Sequence, residues 1–195
     1  MAIEAHANSL GYDDYAAIED GNRYQLIEGE LILSPAPNMR HQAILANLFS
    51  LLHPFVRRNR LGQTFFAPSD VVLKAEPPGL VVQPDIFFIA RDREAIITLA
   101  NVQGAPDLVI EALSPSTARL DTVRKLRLYG KYGVKEIWFI SHEMDQVEVL
   151  RLGADGRYGR PELYVPGDTM TSLLLPGFSL AVAELFDEEQ DEAGE

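Results

Sequence analysis

Apolar residues recur along the chain with two different periods, and the changes between them divide it into elements. Tyr12 to Asp20 has helical spacing and stops before Gly21. Arg23 to Leu33 predicts two short strands hinged near Gly29. Asn38 is a suitable N-cap for a long helix from about Met39 to Arg60, with Gly62 as its stop. On that helix His41, Leu45, Leu48, Leu52 and Phe55 share one face, the expected core face. Pro54 should kink or split it near its last turns.

Strand-like runs follow at Thr64 to Ala67, Asp70 to Ala75 and Val81 to Ala90, each bounded by Pro, Gly or Asp. Asp92 to Ala100 reads as a short helix. Asp107 to Leu113 predicts a strand, and Thr117 to Tyr132 a helix with Gly133 as its C′ residue. Lys135 to Ser141 and Gln146 to Leu152 are strands, with edge strands expected at Glu162 to Val165 and Ser172 to Leu175. This order predicts an α/β domain: a central mixed β-sheet flanked by helices, with an N-terminal hairpin and extra C-terminal strands. The unit from Asp107 to Ser141 should be a right-handed parallel crossover. The domain is expected over residues 1–186, and residues 187–195 as a disordered acidic tail.

Composition narrows the function classes. With 195 residues, 47% of them hydrophobic and 24% charged, the chain suits one domain with a real core. The absence of cysteine excludes disulfides, thiolate metal sites and a Cys nucleophile. No window approaches the roughly 20 apolar residues that span a bilayer, and MAIEAHANSLGYDDY shows no signal-peptide pattern. A cytoplasmic protein without a membrane partner is expected. The formal net charge of -12 opposes nucleic-acid binding by bulk electrostatics. Part of that charge is local, since Glu184 to Glu195 holds seven acids and no base. The tail reads as a solvated terminus, or less often as a mimic of phosphates. DNA would have to be met by local patches: Arg119, Arg124, Arg127 and Lys131, or Arg57, Arg58 and Arg60.

Two acids stand out because they interrupt apolar runs. Glu111 ends the run Leu108-Val109-Ile110, and Asp85 lies inside VVQPDIFFIA, where Pro84 has no N–H for ladder pairing. An isolated ionised carboxylate in such a place costs several kcal/mol, so it should be paired, metal-bound or at an open strand end. Carboxylates on neighbouring strands suit a hard divalent cation such as Mg²⁺. Asp121, Lys125 and Tyr129 form one helical stripe that looks towards Glu111 if the helix packs back on its strand. An ammonium beside a metal-bound water suits phosphodiester hydrolysis. Blander readings exist for each residue: a surface pair for Asp121 and Lys125, a turn cap for Asp85, a satisfied core imidazole for His41.

PDLVIEALSPST, followed by Asp121…Lys125-Leu126…Tyr129 and Gly133-Val134…Glu136…Trp138, resembles the Uma-type restriction endonuclease family, within the PD-(D/E)xK nuclease superfamily. Tyr24…Leu26-Ile27-Glu28-Gly29-Glu30-Leu31, His41 and Gln83-Pro84-Asp85 are similar too. The resemblance implies a restriction-endonuclease-like fold and Mg²⁺- or Mn²⁺-dependent DNA cleavage. It implies Asp85 and Glu111 as metal ligands, with Glu28, Glu30, His41 and Asp121 in support. The superfamily's lysine lies two residues after the acid, where this chain has Leu113, so the resemblance places it on the helix as Lys125. Cleavage of both DNA strands would favour a homodimer. The alternative is a non-catalytic binding or regulatory protein that retains the fold. A sugar hydrolase using two carboxylates ranks last, because no aromatic sugar platform is evident.

Overall fold

The computed structural model describes residues 9–34, 36–113 and 118–187, of which 118–121 by their backbone alone. Helix α1 (Tyr12–Ala16) opens where the Asp14 carboxylate accepts the Gly11 N–H at 2.8 Å. It is shorter than its pattern suggests, because Ala17 to Asp20 is mostly exposed and no packing holds another turn. Strands β1 (Tyr24–Ile27) and β2 (Glu30–Leu33) form the expected hairpin. Glu28 and Gly29 link them, both at positive φ (54° and 86°), the two-residue turn whose twist matches its strands.

Helix α2 (Met39–Arg58) starts where the Asn38 side chain accepts the His41 N–H at 2.8 Å. Its buried stripe is Ile44, Leu48, Leu52 and Val56. The expected stripe is thus rotated, and His41, Leu45 and Phe55 stand at its edge. Pro54 does not split the helix. The helix stops at Arg58, Arg60 takes the positive φ of 54° that turns the chain, and Gly62 opens β3 (Gly62–Phe66) rather than ending the helix.

The central sheet has six strands in the order β11 (Glu162–Tyr164), β10 (Gln146–Arg151), β9 (Glu136–Ser141), β8 (Leu108–Leu113), β6 (Ile86–Ala90) and β3. A second sheet has five, ordered β2, β1, β5 (Leu80–Val82), β4 (Val71–Lys74) and β7 (Val102–Gln103). This corrects the reading of Val81 to Ala90 as one strand. Gln83-Pro84-Asp85 carries the chain from one sheet to the other, at the residue that cannot donate to a ladder. The crossover is parallel as expected: β8 and β9 pair in parallel and helix α3 (Ala118–Tyr132) joins them. Gly133 (φ 83°) ends α3, with Val134 N–H on the Tyr129 carbonyl at 3.0 Å and Gly133 N–H on that of Gly130 at 3.2 Å.

One expectation sharpens and another changes. The short helix expected at Asp92 to Ala100 is a 3-10 helix that starts one residue earlier and is shorter (Arg91–Ile96). The C-terminal pair is β12 (Thr169–Thr171) with β13 (Ser179–Ala181), not a strand at Ser172 to Leu175. The α2 stripe packs on Ile86, Phe88, Leu108, Ile110, Trp138 and Ile140, together with Leu185 of α4 (Ala183–Phe186). Phe87, Ile89, Val109, Ile137 and Phe139 face the other way, onto α3 and the second sheet. Among the described residues no helix is long and apolar enough to cross a membrane. Residues 114–117, between β8 and α3 and including the expected helix start at Thr117, and the tail beyond residue 187 lie outside the described residues.

Candidate active site

Strands β3, β6, β8 and β9 bring one end each to the same rim of the central sheet. Phe66 pairs opposite Ile86, Ile86 opposite Ile110, and Leu113 opposite Ser141. Over this rim, between the N-terminal half of α2 and the β1–β2 hairpin, opens a cleft of about 890 Å³. Asp85, Glu111, Lys125 and His41 all line it.

Glu111 is buried, on the face of β8 that looks towards α3. Tyr129 donates its hydroxyl to Glu111 Oε1 at 2.6 Å, and Lys125 Nζ donates to Oε2 at 2.9 Å. One helical turn separates these donors, so both reach one carboxylate. Burial pushes the Glu111 carboxyl above its ordinary range; Lys125 pulls it down, the nearby charge of Asp85 pushes it up, and Tyr129 opposes again. The net direction is upward. Positive charge at Glu111 falls short of what burial and a second carboxylate demand.

Asp85 ties the rim together. Its Oδ2 accepts the Ala112 N–H at 2.8 Å, and its backbone carbonyl accepts that of Ala67 at 2.9 Å. Its Oδ1 lies 3.3 Å from His41 Nε2. His41 therefore reaches this acid from the first turn of α2, at the edge of the buried stripe. The two carboxylates form a donor set of hard oxygens, suited to Mg²⁺ or Mn²⁺. Among the described residues no cluster of three or more His, Asp or Glu gathers for a metal. Two carboxylates would thus serve with water and substrate as the remaining ligands, as Mg²⁺ commonly accepts.

Residues 12–183 match the family model Uma2, whose description is "Putative restriction endonuclease". The chain belongs to this family. The match takes in the whole rim, from the hairpin to the strand end at Ser141. No curated protein matches the chain in sequence. A solved structure described as "a putative nuclease belonging to DUF820 from Anabaena variabilis ATCC 29413" is similar in fold, with a TM-score of 0.75 at 21% identity, covering 91% of this chain and 97% of that one.

Not every expected residue of this Uma2-family chain reaches the cleft. Glu28 sits in the hairpin turn, with Arg127 Nη2 2.7 Å and Arg124 Nη2 3.4 Å from its carboxylate. The Glu30 side chain is 77% exposed and lies 3.9 Å from Arg124. Neither lines the cleft, because the turn aims them along the outside of α3. The side chains of Arg119 and Asp121 lie outside the described residues. Lys131 lies 5.4 Å from the ring centre of Tyr132, and Arg57, Arg58 and Arg60 are exposed at the far end of α2. Sequence reasoning placed Tyr129 on the lysine stripe without giving it the Glu111 hydrogen bond. It missed His142, Ser34 and Phe66, which also line the cleft.

Proposed function

We propose that the chain is a divalent-metal-dependent nuclease that hydrolyses phosphodiester bonds, with Asp85 and Glu111 as cation ligands and Lys125 as the catalytic cation. The observation that carries this reading is the 2.9 Å contact of Lys125 Nζ with Glu111 Oε2. A lysine fourteen residues further along the chain fills the role that Leu113 cannot take. A bound Mg²⁺ or Mn²⁺ supplies Lewis acidity and an activated water. Asp85 is oriented for its ligand role by the Ala112 N–H and by His41. Tyr129 fixes the rotamer of Glu111. Lys125, only 12% exposed, holds a positive charge where negative charge develops on a phosphate oxygen.

The test is cleavage of plasmid and oligonucleotide DNA with Mg²⁺ or Mn²⁺, wild type against Glu111→Ala. The expected result is metal-dependent cleavage that Glu111→Ala abolishes. Equal cleavage by both proteins contradicts the reading. A second reading, a non-catalytic binding or regulatory protein on the same fold, is favoured by the net charge of -12 and by Leu113 in the lysine's usual place. Metal binding with no turnover of any nucleic acid would select it.

A further inference from the structure

The rim presents a row of four groups: Phe66 at the end of β3, Asp85 ahead of β6, Glu111 in β8 and His142 just past β9. With strands about 4.8 Å apart the row is roughly 14 Å long, and the carboxylates hold its middle. Its two flanks differ. Phe66 is 58% exposed, and its ring is braced by Phe49 in an edge contact of 5.0 Å. The hairpin wall of the cleft is apolar, with Leu33 58% and Ile32 37% exposed. His142 is only 8% exposed, yet its Nε2 has no hydrogen-bond partner among the described residues, and neither has Ser34 Oγ. A buried polar atom without a partner carries a desolvation cost that a ligand can relieve.

The occupant must offer a flat apolar face, polar edges and a phosphodiester. Duplex DNA is held mainly through many phosphate contacts with Lys and Arg. Among the described residues the Arg and Lys side chains lining the cleft are Arg23 and Lys125, and Lys125 is paired with Glu111. The described cations of α3 and of the end of α2 are spent or remote. Arg124 and Arg127 are paired with Glu28, and Arg57 follows Phe49, the last α2 residue at the cleft, by about 12 Å of helix. Unpaired strands are held differently, by stacking of splayed bases on aromatic rings and by hydrogen bonds to their edges.

We propose that the cleft takes an unpaired nucleic-acid strand, with one base stacked on Phe66 and a polar group of a neighbouring nucleotide bonded to His142 Nε2. The inference rests on the nuclease reading for the position of the scissile phosphate, between the two flanks. A substrate of this kind also needs no second copy of the chain to be cut.

The test is fluorescence anisotropy with short labelled single strands of DNA and RNA and their duplexes, in Ca²⁺ and in EDTA, so that binding is read without turnover. Single strands are expected to bind about ten-fold or more tightly than duplexes. Phe66→Ala should weaken single-strand binding about ten-fold, with Phe66→Trp restoring it, and neither should alter the fold because the ring is exposed. His142→Phe should weaken it too, and His142→Gln should recover part of the loss. A preference for either the DNA or the RNA strand supports the proposal and identifies the sugar. Duplex binding as tight as single-strand binding, or wild-type binding by Phe66→Ala, overturns it. If Phe66→Ala also cuts duplex DNA at the wild-type rate, the proposal falls and the nuclease reading stands. Single-strand binding without cleavage in any metal supports the proposal and removes the nuclease reading.

Discussion

Two buried carboxylates four residues apart, Asp107 and Glu111, have opposite charge balances. Asp107, fully buried just before β8, accepts the Ala90 N–H at 2.8 Å and pairs with Arg93 at 3.0 Å and Lys135 at 2.8 Å. Burial works to raise its carboxyl, but the Ala90 N–H and the Lys135 and Arg93 cations outweigh it, and Asp107 is held below the usual carboxylate range. Glu111 is pushed the other way by burial, with one cation, one hydroxyl and a second carboxylate around it among the described residues. Asp107 is neutralised in place and fastens the 3-10 helix and the start of β9 to the sheet. Glu111 is left short of positive charge at the mouth of a cleft, which is what the proposed cation site requires.

The largest effect expected from this contrast is on stability. Asp107→Asn leaves two cations facing an uncharged amide and should cost about 3 kcal/mol or more in urea unfolding at pH 7. The pH dependence has opposite signs at the two sites. A depressed folded pKa stabilises above the unfolded value, about 3.9 for Asp, so the Asp107 contribution should fade as pH falls below that value. A raised folded pKa does the reverse. Between about 4.3, the ordinary Glu value, and the folded value, the Glu111 contribution to stability should decline as pH rises.

The next effect is on turnover. Lys125→Met keeps the stem and removes the charge, so single-turnover cleavage should fall about 10²–10³-fold while the fold persists. Lys131→Met, on the same helix beside Tyr132, should cleave like wild type, and full activity in the Lys125 variant would refute its role. His41→Ala, which removes the group beside Asp85 Oδ1, should lower Mn²⁺ affinity about ten-fold. Unchanged affinity would make His41 structural only. The smallest effect belongs to Glu111→Gln without metal, expected within about 1 kcal/mol of wild-type stability at pH 7. A loss as large as that of Asp107→Asn would erase the contrast between the sites.

What was legible in the sequence was mostly local chemistry. Asn38 acts through its side chain on the backbone N–H three residues on, the Glu28-Gly29 turn and Gly133 through their own backbone, and each is where its residue type predicts. Asp85 and Glu111 were visible as charges inside apolar runs, and Lys125 as a member of one helical stripe. Four features depend on non-local packing and were not legible. The buried face of α2 differs from the expected one by a rotation, because the sheet selects Ile44 and Val56 over Leu45 and Phe55. Val81 to Ala90 is apolar on both sides of Pro84, so nothing in the run says that its halves join different sheets. Glu28 and Glu30 lie two residues apart, a spacing open to a ligand pair, but the hairpin directs them to the arginines of α3. His142 gave no signal either, because a missing hydrogen bond is a property of three dimensions.

The central claim is that Asp85 and Glu111 form one divalent-cation site left short of positive charge by the protein itself. Calorimetric titration with Mn²⁺ of wild type, Asp85→Asn and Glu111→Gln tests it most directly. The account predicts saturable binding to wild type that either substitution abolishes, with all three proteins folded before metal is added. Wild-type protein that takes up no Mn²⁺, or variants that bind it as tightly as wild type, would contradict it.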